Sequence, residues 1–187
     1  MQADTNLTGQ FLIAMPGLTE EPFFRSVCYL CQYDQQGALG LVINKPANIE
    51  LGEVFLQTKI TPVTDEIGAV PVYLGGPVNP GRCLVVHQPV GEWAATLQVN
   101  DEIGITGSSD VLEAIAGGEG PEDFIVCLGY AGWGPGQLDA EILRNDWLTA
   151  PADQTILFHA SQGKRWEAAL ALIGVNPSQL SSDVGHG

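Results

Sequence analysis

Short apolar runs closed by turn residues recur along this chain, and they restrict it to a sheet of short strands. Phe11-Leu12-Ile13-Ala14-Met15 ends at Pro16-Gly17, residues 26–33 end at Asp34-Gln35-Gln36-Gly37, and residues 38–44 end at Pro46. Val70 to Leu74 ends at Gly75-Gly76-Pro77, and Pro80-Gly81 opens a run from Arg82 to His87. Runs of this length bounded by Gly, Pro and Asn read as strands. Gly37 supplies the positive φ that a hairpin turn needs. Connections this short join antiparallel neighbours.

Further strands are expected near 93–99 and 103–106, over the apolar run 124–130, and at 155–158. Helices are interspersed. Asn48 is read as the cap of a short helix burying Leu51, Val54 and Phe55, followed by a loop over 58–69. Ser108 or Ser109 caps a helix whose stripe is Val111, Leu112, Ile115 and Ala116. A Gly-rich turn, residues 132–136, leads into a helix carrying Leu138, Ile142 and Trp147. Trp166, Ala169, Leu170 and Ile173 fall at i, i+3, i+4 and i+7 of a last helix, which Gly174 and Pro177 end. The fold class is α/β of an α+β-like kind. A mixed, largely antiparallel sheet, partly barrel-like, is flanked by about four helices. Residues 1–187 read as one domain, with 181–187 a small, polar, mobile tail.

Charge narrows the partners. The chain has 7 Lys+Arg against 22 Asp+Glu, a formal net charge of −15. Such a surface repels phosphate backbones and anionic lipid heads, which argues against nucleic-acid and membrane roles. No run approaches the roughly 18 apolar residues of a membrane span. The N-terminus shows neither the basic region nor the apolar length of a signal peptide. Cys28, Cys31, Cys83 and Cys127 have irregular spacing and read as reduced thiols, so the expected compartment is the cytoplasm.

The chemical motifs are mostly exclusions. Cys28 and Cys31 form C-x-x-C, but on a strand residues three apart face opposite ways, so they chelate or bridge only across a bulge. His87, His159 and His186 lack partners at metal-ligand spacing. Cys83 and His87 share a strand face at roughly 13 Å, too far for thiol activation. Gly107-Ser108-Ser109-Asp110 is not a nucleophile elbow, and Gly163-Lys164-Arg165 is not a P-loop. No cofactor and no metal are expected. The helix start after Gly132-Trp133-Gly134-Pro135-Gly136 could offer N–H groups to an anion, or Trp133 could be an interface contact. Arg25, Lys45 and Arg82 flank strands beside turns, where basic groups can converge on an anionic ligand.

Several blocks in order resemble the bacterial YqgE/AlgH family. They are Phe11 to Pro16, Arg25-Ser26-Val27, Gly40-Leu41-Val42-Ile43-Asn44-Lys45-Pro46, Gly75-Gly76-Pro77-Val78 and Arg82 with His87. Leu128-Gly129-Tyr130-Ala131-Gly132-Trp133 with Gly136-Gln137-Leu138 is the strongest block, and Trp147, Trp166 and Gly185-His186 complete the set. Departures are Gln32-Tyr33 where the family often has Glu-His, Cys83 in place of Gly, and His159 in place of Asp. The resemblance implies a bacterial cytosolic α/β protein. It implies no reaction, although one branch is called a regulator of alginate synthesis.

The reading is a non-enzymatic binding or regulatory module that contacts a protein partner or a small ligand, as a monomer or homodimer. Candidate contact residues are Arg25, Asn44, Lys45, Gly76, Arg82, His87, Gly132, Trp133 and Gln137. The alternatives are an enzyme acting on a small anionic substrate around Arg25 and His87, and a transcriptional regulator, which the net charge disfavours.

Overall fold

The structure is a computed structural model that describes residues 6–21 and 23–180. The tail read as mobile, with Gly185-His186, lies outside the described residues. The chain runs β1 (Gln10–Ala14), β2 (Val27–Asp34), β3 (Gly37–Val42), β4 (Pro46–Glu50), α1 (Leu51–Thr58), α2 (Asp65–Gly68), β5 (Pro71–Leu74) and β6 (Val78–Gln88). It continues with β7 (Thr96–Gln98), β8 (Gly104–Thr106), α3 (Ser109–Ala116), β9 (Asp123–Trp133), α4 (Gln137–Leu143), β10 (Trp147–Pro151), α5 (Gln154–Phe158), α6 (Arg165–Leu172) and α7 (Pro177–Leu180). The fold is α+β with a mixed, largely antiparallel sheet, as the short turns require. Two compact units divide it: one from the residues up to Asn44 and from Ala131 onward, the other from Lys45–Tyr130.

In the first unit the strand order is β10-β1-β2-β3, all antiparallel, with β3 also pairing the end of β9. Alternation along these strands splits their side chains between two faces. Leu12, Ala14, Cys28, Leu30 and Val42 join Trp133, Leu138 and Trp147 in one core. Phe11 and Tyr29, cross-strand neighbours, meet edge to face at 6.3 Å. Each large side chain buried this way stabilises the fold by about 1.5–3 kcal/mol. The β2–β3 turn needs glycine: Gly37 has φ 135°, and a Cβ there would come within 2.1 Å of the Trp133 carbonyl oxygen.

In the second unit β4 pairs antiparallel with β5, β5 pairs parallel with β9, and β9, β6, β8 and β7 follow antiparallel. Leu51, Val54 and Phe55 of α1 and Val111, Leu112, Ile115 and Ala116 of α3 pack with Val72, Val85 and Val126. Both helical stripes are those that the spacing predicts.

Several local expectations fail for identifiable reasons. Residues 155–158 are helical, because the Asp153 carboxylate accepts the Ile156 N–H at 3.0 Å and caps α5. Trp147 belongs to β10, because Asn145 turns left-handed at φ 62° and closes α4. Asn48 caps nothing; it sits in β4 at φ 58°, and Glu50 takes the cap position of α1. The loop over 58–69 contains α2, whose Ile67 N–H is capped by Thr64 Oγ1. Pro177 opens α7, where proline's fixed φ suits a first helical position. The Gly-rich turn shortens to Gly134-Pro135-Gly136, since β9 runs on through Trp133.

Candidate functional site

The nine candidate residues fall into separate local settings. In the first unit Arg25 ends the turn before β2 in a left-handed conformation, φ 53°. For a residue bearing a Cβ this costs about 1–2 kcal/mol, and it persists only where neighbours enforce it. Asn44 enforces it from both sides. Its Nδ2 donates to the Arg25 carbonyl at 2.9 Å, and its Oδ1 accepts the Val27 N–H at 2.8 Å. The exposed Arg25 guanidinium lies 5.3 Å from the ring centroids of both Phe24 and Trp166. Trp166 is itself fixed, its indole N–H donating to the Ala14 carbonyl at 2.9 Å. Among the described residues Arg25 has no ion pair; the salt bridge found is Arg144–Asp146.

Beside this turn lies Arg165, which the sequence reading passed over. It is buried, and its guanidinium donates to the carbonyls of Ile156 at 3.0 Å, Leu157 at 3.1 Å and Ile43 at 2.5 Å. A guanidinium presents five donors in a rigid fork, so one side chain can tie these three carbonyls. The available signal was helical spacing, since position 165 precedes Trp166 on the buried stripe.

Gly132, Trp133 and Gln137 meet elsewhere in the same unit. Gly132 and Trp133 pair with Leu39 and Ala38 of β3. The Trp133 indole N–H donates to Glu141 Oε2 at 2.5 Å, and the Trp147 indole N–H donates to the same oxygen at 3.3 Å. The two rings meet edge to face at 6.0 Å, and Trp147 meets Phe23 likewise at 5.7 Å. Gln137 Oε1 accepts the Gly134 N–H at 3.0 Å, so the turn's own glutamine takes the donor that an anion would need. With Asp139 and Glu141 on this seven-residue helix, the anion reading of its start is set aside. Glu141 is the residue that organises the cluster.

The second unit holds the other four. His87 is fully buried. Its Nδ1 lies 2.9 Å from the Pro89 carbonyl oxygen and its Nε2 lies 2.7 Å from Thr106 Oγ1, which is 2.8 Å from Thr96 Oγ1. A carbonyl only accepts, so Nδ1 carries the proton and Nε2 accepts from Thr106. Burial pushes the His87 pKa down, against a smaller upward pull from the Pro89 carbonyl. Lys45 accepts the Leu74 N–H at its carbonyl, 2.7 Å. Gly76 brings its carbonyl so close to Gly129 (φ 72°) that a Cβ on Gly129 would lie 2.5 Å from it. Arg82 is exposed, with its guanidinium against Gly107.

The cysteines carry no assembled site. β2 does bulge between Leu30 and Gln32, at Cys31, yet Cys28 and Cys31 are buried and not joined in a disulfide, and the Cys31 thiol donates to the Tyr29 carbonyl at 3.3 Å. Burial pushes the Cys83 thiol up to about 11, away from thiolate chemistry at neutral pH. Among the described residues no group of three His, Cys, Asp or Glu side chains could hold a metal ion. Among the described residues no helix is long and apolar enough to cross a membrane.

Residues 11–178 match the family model described as AlgH-like. The chain belongs to the AlgH-like family. It is 49% identical over 187 residues to a UPF0301 protein of Thioalkalivibrio sulfidiphilus, with 100% of both chains covered. It is 47% identical over 176 residues to a UPF0301 protein of Nitrosococcus oceani, with 94% of each covered. The solution structure of the AlgH protein from Pseudomonas aeruginosa is similar at a TM-score of 0.81 and 42% identity, covering 100% of this chain and 99% of that one. The crystal structure of protein DIP2367 from Corynebacterium diphtheriae, 21% identical at a TM-score of 0.71 and covering 91% and 88%, shares the fold. In this AlgH-like chain Arg25 with Asn44, and Trp133 with Gln137, sit in two separate hydrogen-bonded settings.

Proposed function

We propose that this AlgH-like chain is a binding module of the bacterial cytosol that recognises an anionic group, on a small ligand or a partner protein, through Arg25. One observation carries the reading. In a chain with 22 carboxylates and 7 Lys+Arg, an exposed arginine is held in a strained backbone with its guanidinium 5.3 Å from two ring centroids, and no carboxylate among the described residues neutralises it. Strain enforced by Asn44 is a cost to folding, and such costs concentrate where a side chain must be preset. Cation–π contact with the two rings restrains the guanidinium, and a guanidinium can make a two-pronged bond to carboxylate or phosphate. Cysteines without disulfides and bacterial relatives support the compartment.

Neither alternative gains an observation of its own. The enzyme reading relied on His87, whose ring nitrogens are both engaged inside its own unit. Control of transcription by direct DNA contact meets the −15 charge.

The test is a thermal-shift screen of carboxylates and phosphates against the full chain, repeated with Arg25→Ala and Arg25→Lys. The expected result is at least one ligand whose stabilisation disappears in Arg25→Ala and is weakened in Arg25→Lys, which lacks the fork. A screen and a lysate pull-down that show nothing dependent on Arg25 overturn the reading.

A further inference from the structure

The turn joining β2 to β3 and the start of Trp133 enclose an open pocket of about 180 Å³. Its lining is Gln32, Asp34, Gln36 and Gly37 with Ala38, Leu39 and the tryptophan. Three features of this lining act together. Trp133 cannot swing, because its indole N–H is tied to Glu141 and its ring abuts Trp147. Asp34 is the single charged residue of the lining, and it is fixed: its Oδ1 accepts the Gln36 N–H at 2.8 Å and its Oδ2 accepts from Gln32 Nε2 at 3.2 Å. No Lys or Arg lines the pocket. A fixed carboxylate and glutamine side chains, set beside a held tryptophan with no cation among them, make an environment that an ammonium or guanidinium prefers. The charge of the whole chain, −15, draws basic segments toward it from a distance.

We propose that this pocket seats a Lys or Arg side chain from a basic segment of a protein partner. The inference rests on the reading of the chain as a binding module but not on Arg25, so each can fail alone.

The probe is a short capped peptide of alternating Lys and Gly, with an Arg–Gly version and a Glu–Gly control. Each is titrated into the isotopically labelled full chain and followed by amide and indole NMR signals. Saturable shifts confined to residues 32–39 and the Trp133 indole are expected with both basic peptides and not with the acidic one. Asp34→Asn keeps the acceptor that holds the Gln36 N–H and removes only the charge; it should weaken binding about two- to fivefold, the range of an exposed charge pair. Asp65→Asn, in the other unit, lowers the net charge equally and should leave affinity unchanged. Basic peptides that shift no signal at 32–39, or equal weakening by Asp34→Asn and Asp65→Asn, overturn the proposal. Saturation by spermidine with no response to either basic peptide also overturns it, since it replaces the protein partner with a small polyamine.

Discussion

Glu141 accepts the Trp133 indole N–H at 2.5 Å while the same oxygen takes the indole N–H of Trp147. Trp133 and Trp147 are buried, so each N–H needs a partner, and one carboxylate oxygen serves both. Glu141→Leu leaves two donors unsatisfied, each at about 1–3 kcal/mol. The expected loss is therefore about 2–6 kcal/mol in urea unfolding. Glu141→Gln keeps an acceptor and should lose less than half of that. Equal losses for Leu and Gln would falsify the two-donor account.

Asn44 and Arg25 make a second linked pair. Asn44→Ala removes a donor to the Arg25 carbonyl and an acceptor for Val27, at a cost of about 1–3 kcal/mol. Arg25 then has no enforcement of its left-handed φ. Anion binding should weaken in Asn44→Ala although the ligand is bound by Arg25 and not by Asn44. Arg25→Gly should behave oppositely, with binding abolished and stability within about 1 kcal/mol of wild type. Relief of the strained φ there offsets the lost ring contacts and glycine's extra freedom in the unfolded chain. Calorimetric unfolding of both variants beside ligand titration checks the pair.

Much of this fold was legible in the sequence because its information is periodic and local. The stripes of α1 and α3 and the hairpin at Gly37 follow from spacing and turn chemistry alone. Residues 155–158 misled because a short apolar run has no period of its own, and the deciding signal was the Asp153 cap two residues earlier. At the candidate sites, Arg25, Asn44, Trp133 and Gln137 were visible, whereas Glu141 and Arg165 were not. A carboxylate that serves two tryptophans from separate strands, and an arginine that ties a carbonyl 122 positions away from it, have meaning only once the chain has folded. His87 reads the same in sequence whether it is a ligand contact or a buried strut, and its partner Thr106 lies 19 residues away.

Arg165 should be the most sensitive single position in the first unit. Three backbone carbonyls depend on its guanidinium, and the side chain is 2% exposed. Arg165→Met fills much of the volume but satisfies none of them, which predicts a loss of about 3 kcal/mol or more. Arg165→Lys supplies a point donor without the fork and should recover only part. Soluble yield and urea midpoint separate the three proteins. A midpoint for Arg165→Met within error of wild type removes the assigned role.

His87 gives the protein a pH dependence with a definite sign. The folded state holds the ring neutral, with Nδ1–H donating to Pro89 and Nε2 accepting from Thr106. Its folded pKa is depressed below the unfolded value near 6.5. Above about 6.5 both states are neutral and the contribution is fully present. As pH falls below that value the unfolded chain takes up the proton first, and stability declines until the folded pKa is reached. Asp110, held below the usual carboxylate range by the Ser108 hydroxyl and the N–H groups of Ala94 and Val111, acts in a lower window. Its contribution is present above about 3.8 and fades beneath it. Urea unfolding should therefore lose stability as pH falls from about 7 toward 5, with a slope from His87 alone of at most about 1.4 kcal/mol per pH unit. His87→Phe, which cannot titrate, should flatten that slope even if its overall stability is lower. Thr106→Val should leave Nε2 without its donor and raise the folded pKa, which shortens the window. A wild-type slope that persists unchanged in His87→Phe would assign the dependence to other groups.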